Sequence, residues 1–181
     1  MTLLSASNKV FIATSMDGYI ADKDGKVNFL ETFPAPPGDD MGYAEFMSGI
    51  DAIVMGRNSF ETVLGFNIPW PYSKPVFVWS NTLHALPESL PFNVSIVRGT
   101  VEEILQTIHP KGYKTLYIDG GKTIQSLLAC DLIDEMTITT VPVILGDGIS
   151  LFGKVDGMKK FIGISSKVYP NGLVQNMYQR V

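Results

Sequence analysis

Ile53-Val54-Met55-Gly56-Arg57-Asn58-Ser59-Phe60-Glu61 joins a short unbroken apolar run to a glycine and then to residues able to start a helix. A run of that length without polar alternation reads as a strand buried on both faces, and a terminal glycine lets the backbone come close to a ligand beyond it. The helix that follows would present free N–H groups and the positive end of its dipole at the strand's carboxyl end. Runs of the same kind lie on either side: Lys9 to Thr14, Val76 to Trp79, Val94 to Val97 and Thr115 to Ile118, alternating with helical stretches near 100–108 and 121–129. Such alternation specifies an α/β fold with a largely parallel sheet covered on both faces.

Working outward, the first strand breaks at Asp17-Gly18, and residues 15–38 read as a long irregular connection with the aspect of a loop over a cleft. A helix is expected from Asp39 or Asp40 to Gly49. Near the end, Glu135 to Val143 reads as a strand, and Lys160 to Val168 and Leu173 to Gln179 flank Pro170-Asn171-Gly172, a hairpin signal. Tyr169, Met177 and Tyr178 in this region are candidates for a homodimer surface, or else simply cover the sheet. Trp70, in Pro69-Trp70-Pro71-Tyr72, borders a substrate or pins a loop.

The 181 residues, 45% hydrophobic and 18% charged with a net charge of -4, suffice for a core and oppose electrostatic capture of nucleic acid or anionic membrane. The single cysteine, Cys130, and the two histidines, His84 and His109, exclude a disulfide scaffold and a structural zinc site. No apolar run approaches the roughly 18 residues of a membrane span, and Met1 to Lys9 lacks the form of a secretory leader, so a cytoplasmic protein is expected. With no linker between halves, one domain over 1–181 is the economical reading.

Ligands of open α/β sheets bind beyond the carboxyl ends of the strands, and three such junctions carry unusual residues. They are Gly56-Arg57-Asn58-Ser59, Ser80-Asn81-Thr82, and Asp119-Gly120-Gly121-Lys122-Thr123. Each has a plainer reading as a strand terminator, a turn or a glycine pair, and Gly120-Gly121 fits neither a Rossmann turn nor a P-loop. Their equivalent placement is what favours a shared nucleotide, whose phosphates an arginine fork and two helix N-termini would hold.

In these same segments the chain resembles the dihydrofolate reductase superfamily, and within it the bacterial proteins similar to the reductase domain of riboflavin biosynthesis. Ala13-Thr14-Ser15-Met16-Asp17-Gly18-Tyr19-Ile20-Ala21 resembles the family's first strand and loop, Met55 to Glu61 its Met-Gly-Arg motif, and Ile118 to Gly121 its late glycine pair. Val141 to Gly148 with Leu151-Phe152 resembles the segment after the sixth strand of riboflavin-type members. The resemblance implies a three-layer αβα fold with an antiparallel C-terminal hairpin, NADPH as cofactor, and hydride transfer to a small heterocycle such as a pterin or a riboflavin-precursor pyrimidine.

Carried over by position, the resemblance assigns Ala13, Thr14 and Ile20 to the nicotinamide, and Arg57, Ser80 and Asn81 to the 2′-phosphate. Gly56, Asn58 and Ser59 would line the diphosphate path, closed from the other side by Gly120, Gly121, Lys122 and Thr123. It also implies a cis link between the two glycines, a loop over 15–30 that closes on the nicotinamide, and dimers. For the proton, Asp40 falls at the carboxylate position of the first helix, with an ordinary helix cap as its plainer role, and Asp119 precedes the glycine pair. Asp17 reads as a turn former. Asn28-Phe29-Leu30 replaces the family's Pro-Trp pair, which puts folate in doubt, and one cysteine excludes a zinc deaminase partner domain. A non-catalytic NADP(H)-binding protein of the same fold, acting as a sensor or assembly partner, is the competing reading.

Overall fold

The computed structural model describes residues 6–66 and 68–181; the amino-terminal reading of Met1 to Ser5 lies outside them. Among the described residues ten strands form, β1 Ser7–Ser15, β2 Tyr19–Ala21, β3 Ala52–Gly56, β4 Val76–Trp79, β5 Val94–Val97, β6 Thr115–Asp119, β7 Glu135–Val141, β8 Ile149–Ser150, β9 Phe161–Val168 and β10 Val174–Arg180. Four α-helices accompany them, α1 Tyr43–Ser48, α2 Arg57–Gly65, α3 Val101–Ile108 and α4 Gly121–Ala129. Eight strands make one sheet in the order β5-β4-β3-β6-β1-β7-β10-β9, and β2 pairs separately with β8. Strands β5 through β7 in that order are parallel, while β10 runs antiparallel to β7 and β9 to β10. This is the expected α/β fold with its antiparallel C-terminal hairpin.

The continuous apolar runs become central strands because both faces of the sheet are covered. Residues alternate between faces along a strand. Val54, Leu116 and Ile118 therefore pack with Ile124 and Leu127 of α4 on one face. On the other, Ile53, Met55 and Tyr117 meet Phe60 of α2 and Phe46 of α1. Such packing, not helix propensity, stabilises helices this short.

Several expectations are corrected. The connection over 15–38 is not irregular throughout: it contains β2 and a 3-10 turn over Asn28–Thr32 whose Phe29 is buried against Val141, Tyr169 and Leu173. Helix α1 starts only at Tyr43, because Met41 (φ 57°) and Gly42 (φ 84°) occupy the left-handed region. Strand β7 stops at Val141, before Pro142, which has no N–H for a ladder. No peptide bond among the described residues is cis, so Gly120 and Gly121 are joined in trans. Tyr169 is buried, while Met177 and Tyr178 are half-buried on a strand paired along both edges. At this end of the sheet the free edge is β9; at the other it is β5.

No helix among the described residues is long and apolar enough to cross a membrane.

Candidate active site at the carboxyl edge of the sheet

Strands β3, β4, β5 and β6 are parallel, so their carboxyl ends open on one edge, and α2 and α4 begin there. The two helices start from Gly56 and Gly120, and no side chain caps either N-terminus. Helix α3, which leaves the same edge after β5, behaves differently: the Thr100 side chain accepts from the Glu103 N–H and Glu103 reaches back to Thr100, a full capping box. The uncapped helices also have no acidic residue in the first turn, where they carry Arg57 and Lys122 instead. Two sets of N–H donors, with no acidic residue in either helix's first turn, thus face one edge.

The glycines set how closely these parts approach. A Cβ on Gly56 would lie 2.9 Å from Thr123 Oγ1, one on Gly120 would collide with Ser59 Oγ, and one on Gly121 would lie 3.0 Å from Ile20 Cδ1. Gly120 also has φ +90°, a conformation side chains disfavour. Gly56, Ser59, Gly120, Gly121, Thr123 and Ile20, drawn from three separate stretches of chain, therefore meet at one place. Thr123 and Gly121 are buried, whereas Asn58 and Lys122 are exposed at the rim.

Arg57 is exposed; its Nε is 2.6 Å from Glu61 Oε1 and its Nη1 donates to Thr82 Oγ1 at 3.1 Å. Thr82, not Ser80 or Asn81, is thus the residue at the guanidinium. The buried Ser80 hydroxyl accepts from the N–H groups of Thr82 and Leu83, and Asn81 Oδ1 accepts from the Gly99 N–H. Both build the turn after β4. Arg98, which donates to the Leu83 carbonyl at 2.6 Å, adds a second exposed guanidinium to the same turn, one that sequence reading passed over for want of a motif.

At β1 the ladder to β6 ends at Lys9↔Tyr117, while the ladder to β7 continues to Ser15↔Val141. A gap opens between β1 and β6, bridged by the Tyr117 hydroxyl, which donates to the Phe11 carbonyl at 2.9 Å. Backbone groups alternate sides along a strand, so Ala13, two residues on, turns its N–H and carbonyl toward this gap and Thr14 turns its own into the β7 ladder. Of that pair, Ala13 offers backbone to a ligand. Asp17 accepts from Ser15 Oγ (2.6 Å) and from the N–H groups of Leu145 (3.1 Å) and Gly146 (2.8 Å), pinning the loop after β1 to the segment after β7. The Ser15 bond first, then those N–H groups, hold its carboxyl below the usual carboxylate range.

Asp119 ends β6 on the face shared with Tyr117 and α1. Burial pushes its carboxyl upward, against the opposing pull of the Tyr117 and Ser59 hydroxyls and the Gly120 N–H. Its Oδ1 is 3.3 Å from Tyr117 Oη. Tyr43 of α1 and Tyr72 stand near enough for its charge to oppose their ionisation, adding to the effect of their own burial. The rings form a wall: Phe11 lies 5.6 Å from Tyr43, Phe46 5.1 Å from Tyr117, and Trp70 5.3 Å from Tyr72. Asp40 is elsewhere in kind: it is exposed, and its two oxygens accept from the Gly42 and Ala44 N–H groups, which organises the start of α1. The tyrosines come from three separate segments, and only the i, i+2 spacing of Tyr117 and Asp119 gave a sequence signal that they share a face.

Comparison with known proteins agrees with the fold. A structure from Shewanella sp. PV-4, provisionally assigned to riboflavin biosynthesis, superposes with a TM-score of 0.92 at 47% identity, covering 97% of this chain and 99% of that one. The Bacillus subtilis protein YwjB is 28% identical over 153 residues, 83% of this chain and 85% of its own. A dihydrofolate reductase of Enterococcus faecalis complexed with NADP(H) shares the fold, with a TM-score of 0.62 at 20% identity over 96% of each chain. The model of the RibD C-terminal domain matches residues 9–175, and the chain belongs to that reductase-type family.

Proposed function

We propose that the protein is an NADPH-dependent reductase that passes a hydride to a small planar heterocycle, a pterin or a riboflavin-precursor pyrimidine. The observation that carries the reading is the pair of uncapped helix N-termini, α2 and α4, brought together across Gly56, Gly120 and Gly121 with Arg57 and Lys122 in their first turns. A pyrophosphate fits that donor set, because backbone N–H groups and the Lys122 cation would face it where a side chain on any of the three glycines would intrude. Arg57, with Thr82 beside it, would take a 2′-phosphate, and the Ala13 backbone with Ile20 would orient the nicotinamide near Asp119.

When bound, the cofactor supplies the hydride; the chain's own groups do the rest. Tyr43, Tyr72 and Trp70 line the side from which a flat ring would enter, and Asp119 handles the proton that must accompany hydride addition to a C=N or C=O bond. In β9, Ile162, Ile164 and Val168 are exposed on a free edge with no proline, which fits a second copy adding its own β9 antiparallel to this one.

Parallel titrations with NADPH and NADH, followed by tryptophan fluorescence, test the cofactor half. Tighter binding of NADPH is expected. Binding of neither overturns the proposal, and binding without oxidation by any planar heterocycle favours the sensor reading.

A further inference from the structure

Tyr117 Oη sits between two acceptors, the Phe11 carbonyl oxygen at 2.9 Å and Asp119 Oδ1 at 3.3 Å, and a phenol has one proton. The carbonyl has the stronger claim. It lies in the gap where β1 has parted from β6, so no strand partner supplies it with an N–H from that side, and its contact is the shorter. With the proton there, Tyr117 turns lone pairs toward the carboxyl. An ionised Asp119 would then set lone pairs against lone pairs in a desolvated place, whereas a protonated one supplies the missing donor.

We propose that Asp119 rests as a neutral carboxylic acid whose O–H is donated to the Tyr117 hydroxyl, making Tyr117 a positioning residue that keeps one proton stored at the end of β6. The surroundings agree. Asp119 meets Tyr43 from α1, Tyr72 from the segment before β4 and Tyr117 from its own strand, all uncharged at neutral pH; α2 and the glycine pair present only the Ser59 hydroxyl and the Gly120 N–H. Among the described residues no lysine, arginine or histidine pairs with Asp119, and Arg57 is turned to Glu61. Burial raises the affinity of the carboxyl for its proton; a Tyr117 hydroxyl donating to Asp119 would oppose this, but one whose proton is held by the Phe11 carbonyl does not, and that hydroxyl, itself pushed well above its usual range, does not ionise in competition.

The use of the proton rests on the reductase reading; its storage does not. In turnover Asp119 would release it to the substrate heteroatom as the adjacent carbon gains hydride, leaving a carboxylate faced by Ser59 and Gly120 that solvent reprotonates.

The test is the infrared carbonyl stretch of a protonated carboxylic acid in the whole protein, assigned to Asp119 by its loss in D119N. The band is expected to persist at neutral pH, where an ordinary aspartate, pKa ~3.9, is ionised. In Y117F its midpoint should fall by about one unit, the worth of one hydrogen bond to the neutral form. Absence of the band in the wild type at that pH overturns the proposal, even if Y117F should fail to fold. So does a midpoint in Y117F that is unchanged or raised, since a Tyr117 that donates to an ionised Asp119 requires that sign. Lack of turnover with NADPH would count against the reductase reading alone and leave the titration in force.

Discussion

Replacing Gly56 by alanine tests whether the meeting of α2 and α4 is as close as the structure has it. The backbone there is ordinary, φ -73° and ψ 163°, so a side chain introduces no conformational strain. Two small effects oppose each other: loss of glycine's freedom in the unfolded chain stabilises by roughly 0.4–1 kcal/mol, and alanine is a poorer N-cap than glycine by about as much. The contact then decides. The new Cβ would lie 2.9 Å from Thr123 Oγ1, against 3.4–4 Å for ordinary contact, and Thr123 is buried with little room to retreat. Overpacking of this kind costs ~1–3 kcal/mol, a fall in Tm of about 2–12 °C for a chain of this size. Because the displaced groups are the first turns of both helices, NADPH affinity should fall as well. Thermal unfolding and cofactor titration of G56A, T123A and the double variant form a cycle in which the penalty should largely vanish once Oγ1 is gone. An equal loss from G56A in both backgrounds would refute the reasoning.

Arg57→Ala should weaken NADPH by about ten- to a hundredfold and NADH hardly at all, because the guanidinium would meet only the 2′-phosphate; equal loss for both in parallel titrations removes that assignment. Asp40→Ala should lower stability by ~0.5–1.5 kcal/mol, as loss of a hydrogen-bond acceptor for two backbone N–H groups ahead of α1 does, with NADPH affinity and turnover unchanged; a fall in turnover would restore Asp40 as the acid. Asp17 has a depressed pKa, so its clamp on Leu145 and Gly146 is complete above the ordinary value of ~3.9 and is lost as pH falls through the depressed one; amide exchange at those two positions should accelerate there in the wild type and at every pH in D17A. Asp119 runs the other way. A raised pKa withdraws stability as pH rises through it, so D119N should unfold at a higher temperature than the wild type near neutrality and at the same temperature in acid, while losing activity.

The central strands were legible because burial on both faces writes an unbroken apolar run, and α4 because the glycine pair marks its start. The hairpin was legible because Asn171-Gly172 is flanked by strands of its own length. What was not legible depends on contacts between distant segments. The pairing of β2 with β8 involves three residues and two, too few for a period to show. Of the two left-handed residues that delay α1, only Gly42 is of a type that announces such a turn; Met41 is not. Ser80 stands at the position in the motif of a ligand group, and no local signal shows that its hydroxyl also organises the turn or that Thr82 is the residue at Arg57. The aromatic wall around Asp119 has no local signature, since Tyr43, Tyr72 and Tyr117 come together only when α1, the segment before β4, and β6 are packed.

Three helices begin at the same edge of the sheet, and their first turns separate what serves the fold from what serves a ligand. Helix α3 has a capping box and two glutamates facing its own dipole, the arrangement that stability alone favours. Helices α2 and α4 forgo a cap worth about 1 kcal/mol each and place cations where the dipole opposes them. Gly120 could not carry a capping side chain at φ +90°, and at Gly56 one would strike Thr123, so the omission is built into the geometry. A chain that caps one helix fully and leaves two of its neighbours bare is consistent with an anion supplying the missing partners. On that reading the same bare N-termini that make the free protein less stable than it could be are what a bound pyrophosphate would satisfy, and NADPH should raise the Tm by more than its adenosine half alone.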